Sequence, residues 1–369
     1  MKKVTHLTSV HSRYDTRIFL KECISLAKIN NFKVSLIVAD GNGNEIKNNI
    51  SIYDVGQLKG RINRIFKTTK KVFQKAIELD SDLYHFHDPE LIPVGLKLKK
   101  LGYKVIFDIH ENTDLQILEK DWIPYPIRSS LSFFYKNFEN YACKKFDYLF
   151  VPQLAMFDKY SKLEKTEVIA NFPTNISIDN YDKKLSKYKL LYSGSIGESR
   201  GLWNMLDLLE KLLRLESLYT LTIAGNMSSE LLIEAKKHSA WSSVNYLGFI
   251  SQEELKIVYQ EHTIGLIMFN NVGQYYMAYA LKLFEYMLNG LTVMMPNFGD
   301  WIVFNNDNNA GYNIDVRNSI ESADILNNIT DDTLKINEKR NKNLVLKKFT
   351  WKNEEDKLIY IYKELLDVK

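Results

Sequence analysis

Four segments of this chain carry residue types whose spacing suits chemistry. The first is Gly194-Ser195-Ile196-Gly197-Glu198-Ser199-Arg200-Gly201, between a strand-like run and a helical one. Glycines let a ligand approach the backbone, and a helix N-terminus offers free N–H groups to an anion. Arg200 adds a planar cationic fork suited to phosphate. A tight turn alone would account for the glycines; the loop, the arginine and the following helix together favour a phosphate site. The segment is neither a GxGxxG fingerprint nor a GxxxxGK[ST] loop.

The second segment is Ala280-Leu281-Lys282-Leu283-Phe284-Glu285, where Lys282 and Glu285 stand three apart on one face of a helix start. Such a lysine reaches a phosphate and such a carboxylate accepts from a ribose diol; a surface ion pair is the plainer reading. The third, His11-Ser12-Arg13-Tyr14-Asp15-Thr16-Arg17, follows the first strand, where binding loops sit. There Asp15 either serves a ligand or caps the next helix. The fourth pairs His87-Asp88 with Asp108-Ile109-His110-Glu111, each a histidine beside a carboxylate at a strand end. His87 and His110 suit contacts to sugar hydroxyls or a proton relay. No zinc-ligand spacing such as H-E-x-x-H appears, so no metal is expected.

These segments need strands and helices to hold them. Near-continuous apolar runs predict strands at Val4–Thr8, Lys33–Ala39, Leu83–His87, Val105–His110 and Tyr148–Pro152. Helical periodicity fills Arg17–Ala27, Arg61–Leu79, Pro89–Lys100 and Pro126–Lys145. A polar stretch over 174–188 reads as a linker. Alternation then restarts with strands Leu190–Gly194, Thr220–Gly225, Val244–Gly248, Gly265–Phe269 and Thr292–Met295. Helices fit at Leu202–Leu213, Ser229–Lys237, Gln252–Gln260 and Lys282–Leu288. Alternating strands and helices imply parallel βαβ sheets, so the expected class is α/β with two doubly wound, Rossmann-like domains, 1–173 and 189–350. A last helix over about 351–368 is placed as a segment that can pack back on the first domain. Ligands of such sheets bind beyond the carboxyl ends of strands, where all four segments fall.

With 369 residues, 45% of them apolar and 25% charged, the chain reads as an ordinary two-domain globular protein. No apolar run reaches the roughly 18 residues of a membrane span. Two cysteines, Cys23 and Cys143, make neither a disulfide framework nor a cysteine metal site. Residues 1–7 enter a strand directly, with no apolar leader core, and a cytoplasmic location is expected. Residues 1–173 hold 27 Lys/Arg against 20 Asp/Glu, the remainder 22 against 25. The excess concentrates in Lys59, Arg61, Arg64, Lys67, Lys70, Lys71 and Lys75, interleaved with Ile62, Ile65, Phe66, Val72 and Phe73. That pattern is a basic helix with a buried apolar stripe. Its cations are either simply solvated or dock on an anionic surface, such as an inner membrane leaflet or a phosphate-bearing acceptor; nucleic acid is not expected.

In this order the segments resemble the GT-B-fold retaining glycosyltransferases, family 4, of bacterial capsule, O-antigen and exopolysaccharide assembly. The resemblance rests on HSRYDTRIFLKE (11–22), FHDPELIP (86–93), VIFDIHEN (105–112), VIANFP (168–173), LYSGSIGESRG (191–201), LTIAGN (221–226) and LGFISQEEL (247–255). KLFEYMLNGLTV (282–293) is its most specific stretch. It implies two domains facing across a cleft, acceptor mainly on the first and nucleotide-sugar donor mainly on the second. Arg200 and Lys282 would neutralise the donor diphosphate, with Gly194, Ser195, Gly197 and Leu283 beside it. Glu285 would hold the ribose, and His110 would lie near the transferred sugar. His11, Arg13, Asp15, Arg17, His87 and Glu111 would face acceptor or donor phosphates. The leaving diphosphate would guide front-face attack without a divalent metal or other cofactor.

The chain departs from the family pattern at three places. Met277 stands where many members have a first glutamate, Ala278-Tyr279-Ala280-Leu281-Lys282 replaces a Ser-x-Pro-x-Lys pattern, and the His11–Arg17 loop replaces a Gly-Gly turn. Tyr275 and Tyr276, just before the donor motif, suit stacking on a sugar or base, with packing the plainer reading. The expected activity is transfer of a hexose or N-acetylhexosamine from a nucleotide diphosphate sugar, UDP-linked before GDP-linked. The expected acceptor is a glycan or a polyprenyl-diphosphate-linked glycan at the inner membrane face. A silent partner in a glycan-assembly complex and a nucleotide-sugar epimerase are the alternatives.

Overall fold

The computed structural model describes residues 1–119, 123–174, 183–276 and 279–368, which divide into two units. Unit 1 comprises Met1–Asn171 and Trp351–Lys369, unit 2 Phe172–Thr350. Met277, Ala278 and most of the 174–188 segment lie outside the described residues.

Unit 1 is built on β1 (Lys2–Leu7), β2 (Phe32–Val38), β3 (Glu45–Lys47), β4 (Ile50–Asp54), β5 (Leu83–Phe86), β6 (Lys104–Asp108), β7 (Tyr148–Val151) and β8 (Thr166–Val168). Their order is β3-β4-β2-β1-β5-β6-β7-β8, parallel except for β3 on β4. The chain moves one way from β1 to β2 and the other way from β5 onward. The loops after β1 and β5 therefore flank the point where the winding reverses, the usual ligand position.

Unit 2 repeats the plan with β9 (Lys189–Ser193), β10 (Thr220–Ala224), β11 (Val244–Gly248), β12 (Ile264–Leu266), β13 (Thr292–Pro296) and β14 (Gly311–Ile314). The order β11-β10-β9-β12-β13-β14 puts its reversal between β9 and β12. The glycine loop leaves β9 at that point.

The central strands are buried on both faces, so burial runs through them without alternation, and Thr5, His6, Ser35 and His85 are enclosed among their apolar residues. One core of unit 1 joins Val4, Phe19, Leu36 and Ile106 to Trp351, Leu358, Ile361 and Tyr362 of the helix Trp351–Leu365. The other packs Leu7, Phe86, Phe107 and Leu149 against Val72, Ile92 and Ala142 from the helices Thr69–Leu79, Ile92–Lys100 and Tyr125–Cys143.

The basic block forms a helix from Arg61 to Leu79 with a π-type stretch at Arg64–Thr68. It differs from expectation in one respect. Val72 is buried, but Ile62, Ile65 and Phe66 point into solvent. The helix Tyr125–Cys143 likewise exposes Ile127, Leu131, Phe134, Phe138 and Tyr141, a stripe at helical spacing. No helix among the described residues is long and apolar enough to cross a membrane.

Candidate functional site

The chemistry of unit 2 gathers where β9, β12 and the helix Leu281–Leu288 begin or end. Lys282 is buried, and its ammonium has no hydrogen-bond partner. It lies 3.5 Å from the ring centroid of Tyr192 and 5.3 Å from that of Phe269, faces that attract a cation without satisfying its donors. A Cβ added at Gly194 would come within 3.2 Å of Lys282 Nζ, so the missing side chain leaves the space over the amine open. Burial first, and then the charge of Arg200, hold the amine well below the usual lysine range, against the pull of Glu285.

Arg200 is fixed by its own surroundings: its Nε donates to Tyr275 Oη (3.2 Å) and its Nη1 to the Ser195 carbonyl (2.9 Å). Two cations face one open turn with few local carboxylates, an arrangement that a polyanion completes. Glu285 Oε2 accepts from Tyr259 (3.0 Å), whose hydroxyl also meets Ser193 Oγ (3.0 Å), while the Ser193 N–H donates to Tyr286 (2.8 Å). Burial and the Glu285 charge keep Tyr259 protonated, so it remains the donor. Gly197 flanks the turn and its carbonyl accepts from the Arg200 N–H (3.2 Å). Leu283 is a core side chain whose N–H is spent on the Ala280 carbonyl (2.9 Å).

The turn depends on a backbone crossing that only glycine allows. Gly225 has φ +157°, and a Cβ there would sit 1.9 Å from the Gly194 carbonyl oxygen. Gly225→Ala is therefore expected to cost about 1–3 kcal/mol of unfolding free energy and to shift the turn away from Lys282. Urea unfolding together with nucleotide binding checks both effects; an unchanged midpoint would contradict the crossing.

In unit 1, Asp88 organises the loop after β1. Its Oδ2 accepts from Thr8 Oγ1 (2.8 Å) and the Ser9 N–H (2.6 Å), while Oδ1 lies 2.9 Å from His11 Nδ1. Burial would raise this carboxyl, but His11 and the loop donors hold it below the usual range. His11 and His110 are partly open, with ring centroids 5.0 Å apart. His110 Nε2 lies 2.9 Å from Asp108 Oδ2. These two rings form the accessible mouth of the cluster.

Several expected ligand contacts are instead internal. Arg17 is buried and grips Asp108 in bidentate fashion (2.7 Å to each oxygen), its remaining donor on the Ile169 carbonyl (2.7 Å). Arg13 likewise spends its fork on Asp40 and Glu45 (2.7–2.8 Å) and on the Gly43 carbonyl. Asp15 Oδ1 accepts from the N–H groups of Arg17 and Ile18, the capping role. His87 is fully buried behind His110, held neutral by burial with a pKa pushed down to about 4. Exposed Glu111 accepts from Gln116 Nε2. Of the basic helix, Arg64 pairs with Glu90 (2.9 Å) and Lys71 donates to the Val55 carbonyl (3.2 Å), while Lys59, Arg61, Lys67 and Lys70 are exposed.

Sequence reasoning missed the partners of this site. Tyr192, Tyr259, Tyr286 and Phe269 are core aromatics by pattern, and only the three-dimensional placement puts them around Lys282 and Glu285. Glu22 and His6 were overlooked for the same reason; His85-x-His87 on one strand face was the available signal.

The two parallel Rossmann-like units define an α/β fold of the GT-B type. Residues 174–345, nearly all of unit 2, match the family model of glycosyl transferases group 1. The whole chain is similar to the solved sucrose-phosphate synthase of Thermosynechococcus elongatus, at 13% identity and TM-score 0.76, covering 100% of both chains. It is similar to a glycosyltransferase of Rickettsia africae at 14% identity and TM-score 0.68, covering 100% of this chain and 99% of that one. Anabaena HepE, solved in complex with UDP-glucose, matches at 14% identity and TM-score 0.69 over 99% and 100%. At such identities the likeness is one of fold. No curated protein matches by sequence.

Proposed function

We propose that the protein is a retaining, metal-independent glycosyltransferase. It moves a hexose or N-acetylhexosamine from a nucleotide diphosphate sugar, UDP-linked before GDP-linked, to a lipid-linked or polysaccharide acceptor in surface glycan assembly. The observation that carries this reading is the buried, unbonded Lys282 ammonium under the open Gly194 turn beside Arg200. Both cations stand where charge develops on a leaving diphosphate, so they favour the transition state over the ground state. Glu285, held by Tyr259, presents its carboxylate to the ribose hydroxyls. On unit 1, His11 and His110 offer a partly open polar edge for the incoming hydroxyl.

A thermal-shift panel with UDP, GDP, ADP and dTDP tests the donor class. A nucleotide at 100 times its dissociation constant adds about 2.7 kcal/mol to folding. Stabilisation by one nucleotide names the donor; stabilisation by none turns the reading to a silent partner in a glycan-assembly complex. Sugar conversion in the absence of any acceptor would mark an epimerase instead.

The acceptor is proposed to sit at an anionic membrane face. Exposed Lys59, Arg61, Lys67 and Lys70 accompany exposed Ile62 and Phe66, and the helix Tyr125–Cys143 adds its apolar stripe. Replacing these four cations by Gln is expected to weaken binding to anionic vesicles, each contributing about 1 kcal/mol near the lipid. Vesicle sedimentation that is unchanged by the substitutions defeats the docking. A soluble sugar phosphate is the second acceptor reading, favoured by the similarity to sucrose-phosphate synthase. Product formation in membrane-free assays with sugar phosphates separates the two.

A further inference from the structure

Behind the His11–His110 mouth lies a second, closed cluster that the transfer chemistry leaves unused. The parallel register of β1 and β5 sets His6 beside His85, and strand alternation brings His87 to the same face. The helical segment Ile18–Ala27 delivers Glu22 against them. All four side chains are fully enclosed.

Glu22 Oε2 lies 3.8 Å from each of three imidazole nitrogens: His6 Nδ1, His85 Nδ1 and His87 Nε2. His6 Nδ1 and His87 Nε2 are 3.0 Å apart. Neither Glu22 oxygen accepts a hydrogen bond, although Arg17 Nε comes within 3.2 Å of Oε1 and the Asp108 carboxylate lies close enough to share a proton with Glu22. A carboxyl group so deeply buried without accepting a hydrogen bond is costly, and here its Oε2 faces three imidazole nitrogens. Tetrahedral zinc with bonds near 2.0–2.2 Å spaces its ligand atoms by about 3.3–3.6 Å, between the 3.0 Å of His6 to His87 and the 3.8 Å of Glu22 to each histidine.

We propose that His6, His85, His87 and Glu22 form a closed tetrahedral site for one structural zinc ion. Two of the three histidines have outer partners of the kind such sites use, while His85 Nε2 has none. His87 Nδ1 lies 3.1 Å from Asp108 Oδ2, which fixes the tautomer that leaves Nε2 free to ligate. The Tyr362 hydroxyl, 2.6 Å from His85 Nδ1, gives up that contact on metal binding and keeps His6 Nε2 at 3.3 Å. Four protein ligands and no route to solvent make the ion structural, joining β1, β5 and the first helix. Three imidazoles with one carboxylate suit zinc better than calcium or magnesium. The transfer reaction proposed above does not pass through it.

The test uses the full chain produced in zinc-supplemented medium and dialysed free of loose metal. About one zinc per chain is expected by mass spectrometry. Glu22→Gln and His85→Gln are expected to lose zinc affinity by about tenfold or more, while the surface variant His238→Asn keeps it. Cobalt(II) in place of zinc should give the intense visible bands of a tetrahedral site in the unaltered protein, a readout that needs no variant to fold. Zinc absent from the wild type together with no tetrahedral cobalt spectrum overturns the proposal. So does zinc that stays equally bound in a folded Glu22→Gln.

Discussion

Lys282→Met is expected to make the protein harder to unfold and indifferent to nucleotide diphosphates. The two effects have one cause. In the free protein the ammonium is enclosed without a hydrogen bond, and an unsatisfied buried donor costs about 1–3 kcal/mol. Methionine keeps the volume and removes that cost, so the urea midpoint should rise. The same change removes a cation from the diphosphate, and losing one such preorganised donor lowers turnover by about 10²–10³. A variant that is more stable yet inactive separates a binding role from a folding role. A variant still stabilised by UDP would end the assignment of this lysine.

The same lysine makes binding depend on pH. Burial and Arg200 hold its free-state pKa well below the ordinary 10.5, and a diphosphate bound as proposed would raise it again. Between the two values, binding takes up a proton, so affinity falls as pH rises through the free-state value. Folding shows the converse sign. Stability contributed by the depressed amine is present above the unfolded lysine value and is lost as pH falls toward the folded one. Calorimetry in two buffers of different ionisation heat reads the uptake directly, and Lys282→Met should abolish it.

Arg17→Met is expected to destabilise unit 1 by about 3–5 kcal/mol, the cost of breaking a buried ion pair from one side. The guanidinium holds Asp108 through two 2.7 Å bonds, lies beside Glu22 and ties down the Ile169 carbonyl. Its loss leaves the buried Asp108 carboxylate without its bidentate partner. Asp108→Asn in the same chain should restore part of the loss, and a double-mutant cycle measures the coupling. A stable variant with only a raised KM would instead place Arg17 at a ligand.

The resemblance placed Arg17 and Arg13 toward ligand, and the structure turns both inward, for a reason that no local pattern carries. Their partners Asp40, Glu45 and Asp108 lie 27 to 91 positions away and meet them only through the sheet order. Strands were legible wherever burial on both faces made an apolar run. Val244–Gly248 agrees residue for residue, and Leu83–His87 overshoots by one. The short edge strands β3 and β8, three residues each, are too polar to read, and β14 begins at a glycine. The helix Asp331–Lys348 was missed because its charged and amide side chains mask the buried face of Leu334, Asn337, Asn341 and Val345. The glycine loop and Lys282 stand out from local composition alone because backbone approach and charge are local requirements. Glu285's tyrosine support does not, since Tyr259 sits 26 residues upstream.

The helix Trp351–Leu365 completes a core whose other members lie in the first 169 residues. During synthesis on the ribosome, unit 2 is therefore the first stretch able to close its own interior, although it is translated second. That core of unit 1 must wait, with Val4, Phe19 and Leu36 short of their cover, until Leu358, Ile361 and Tyr362 have emerged. A ribosome stalled near Thr350 would leave that apolar surface to chaperones, which makes the last turns of the chain a checkpoint for the first.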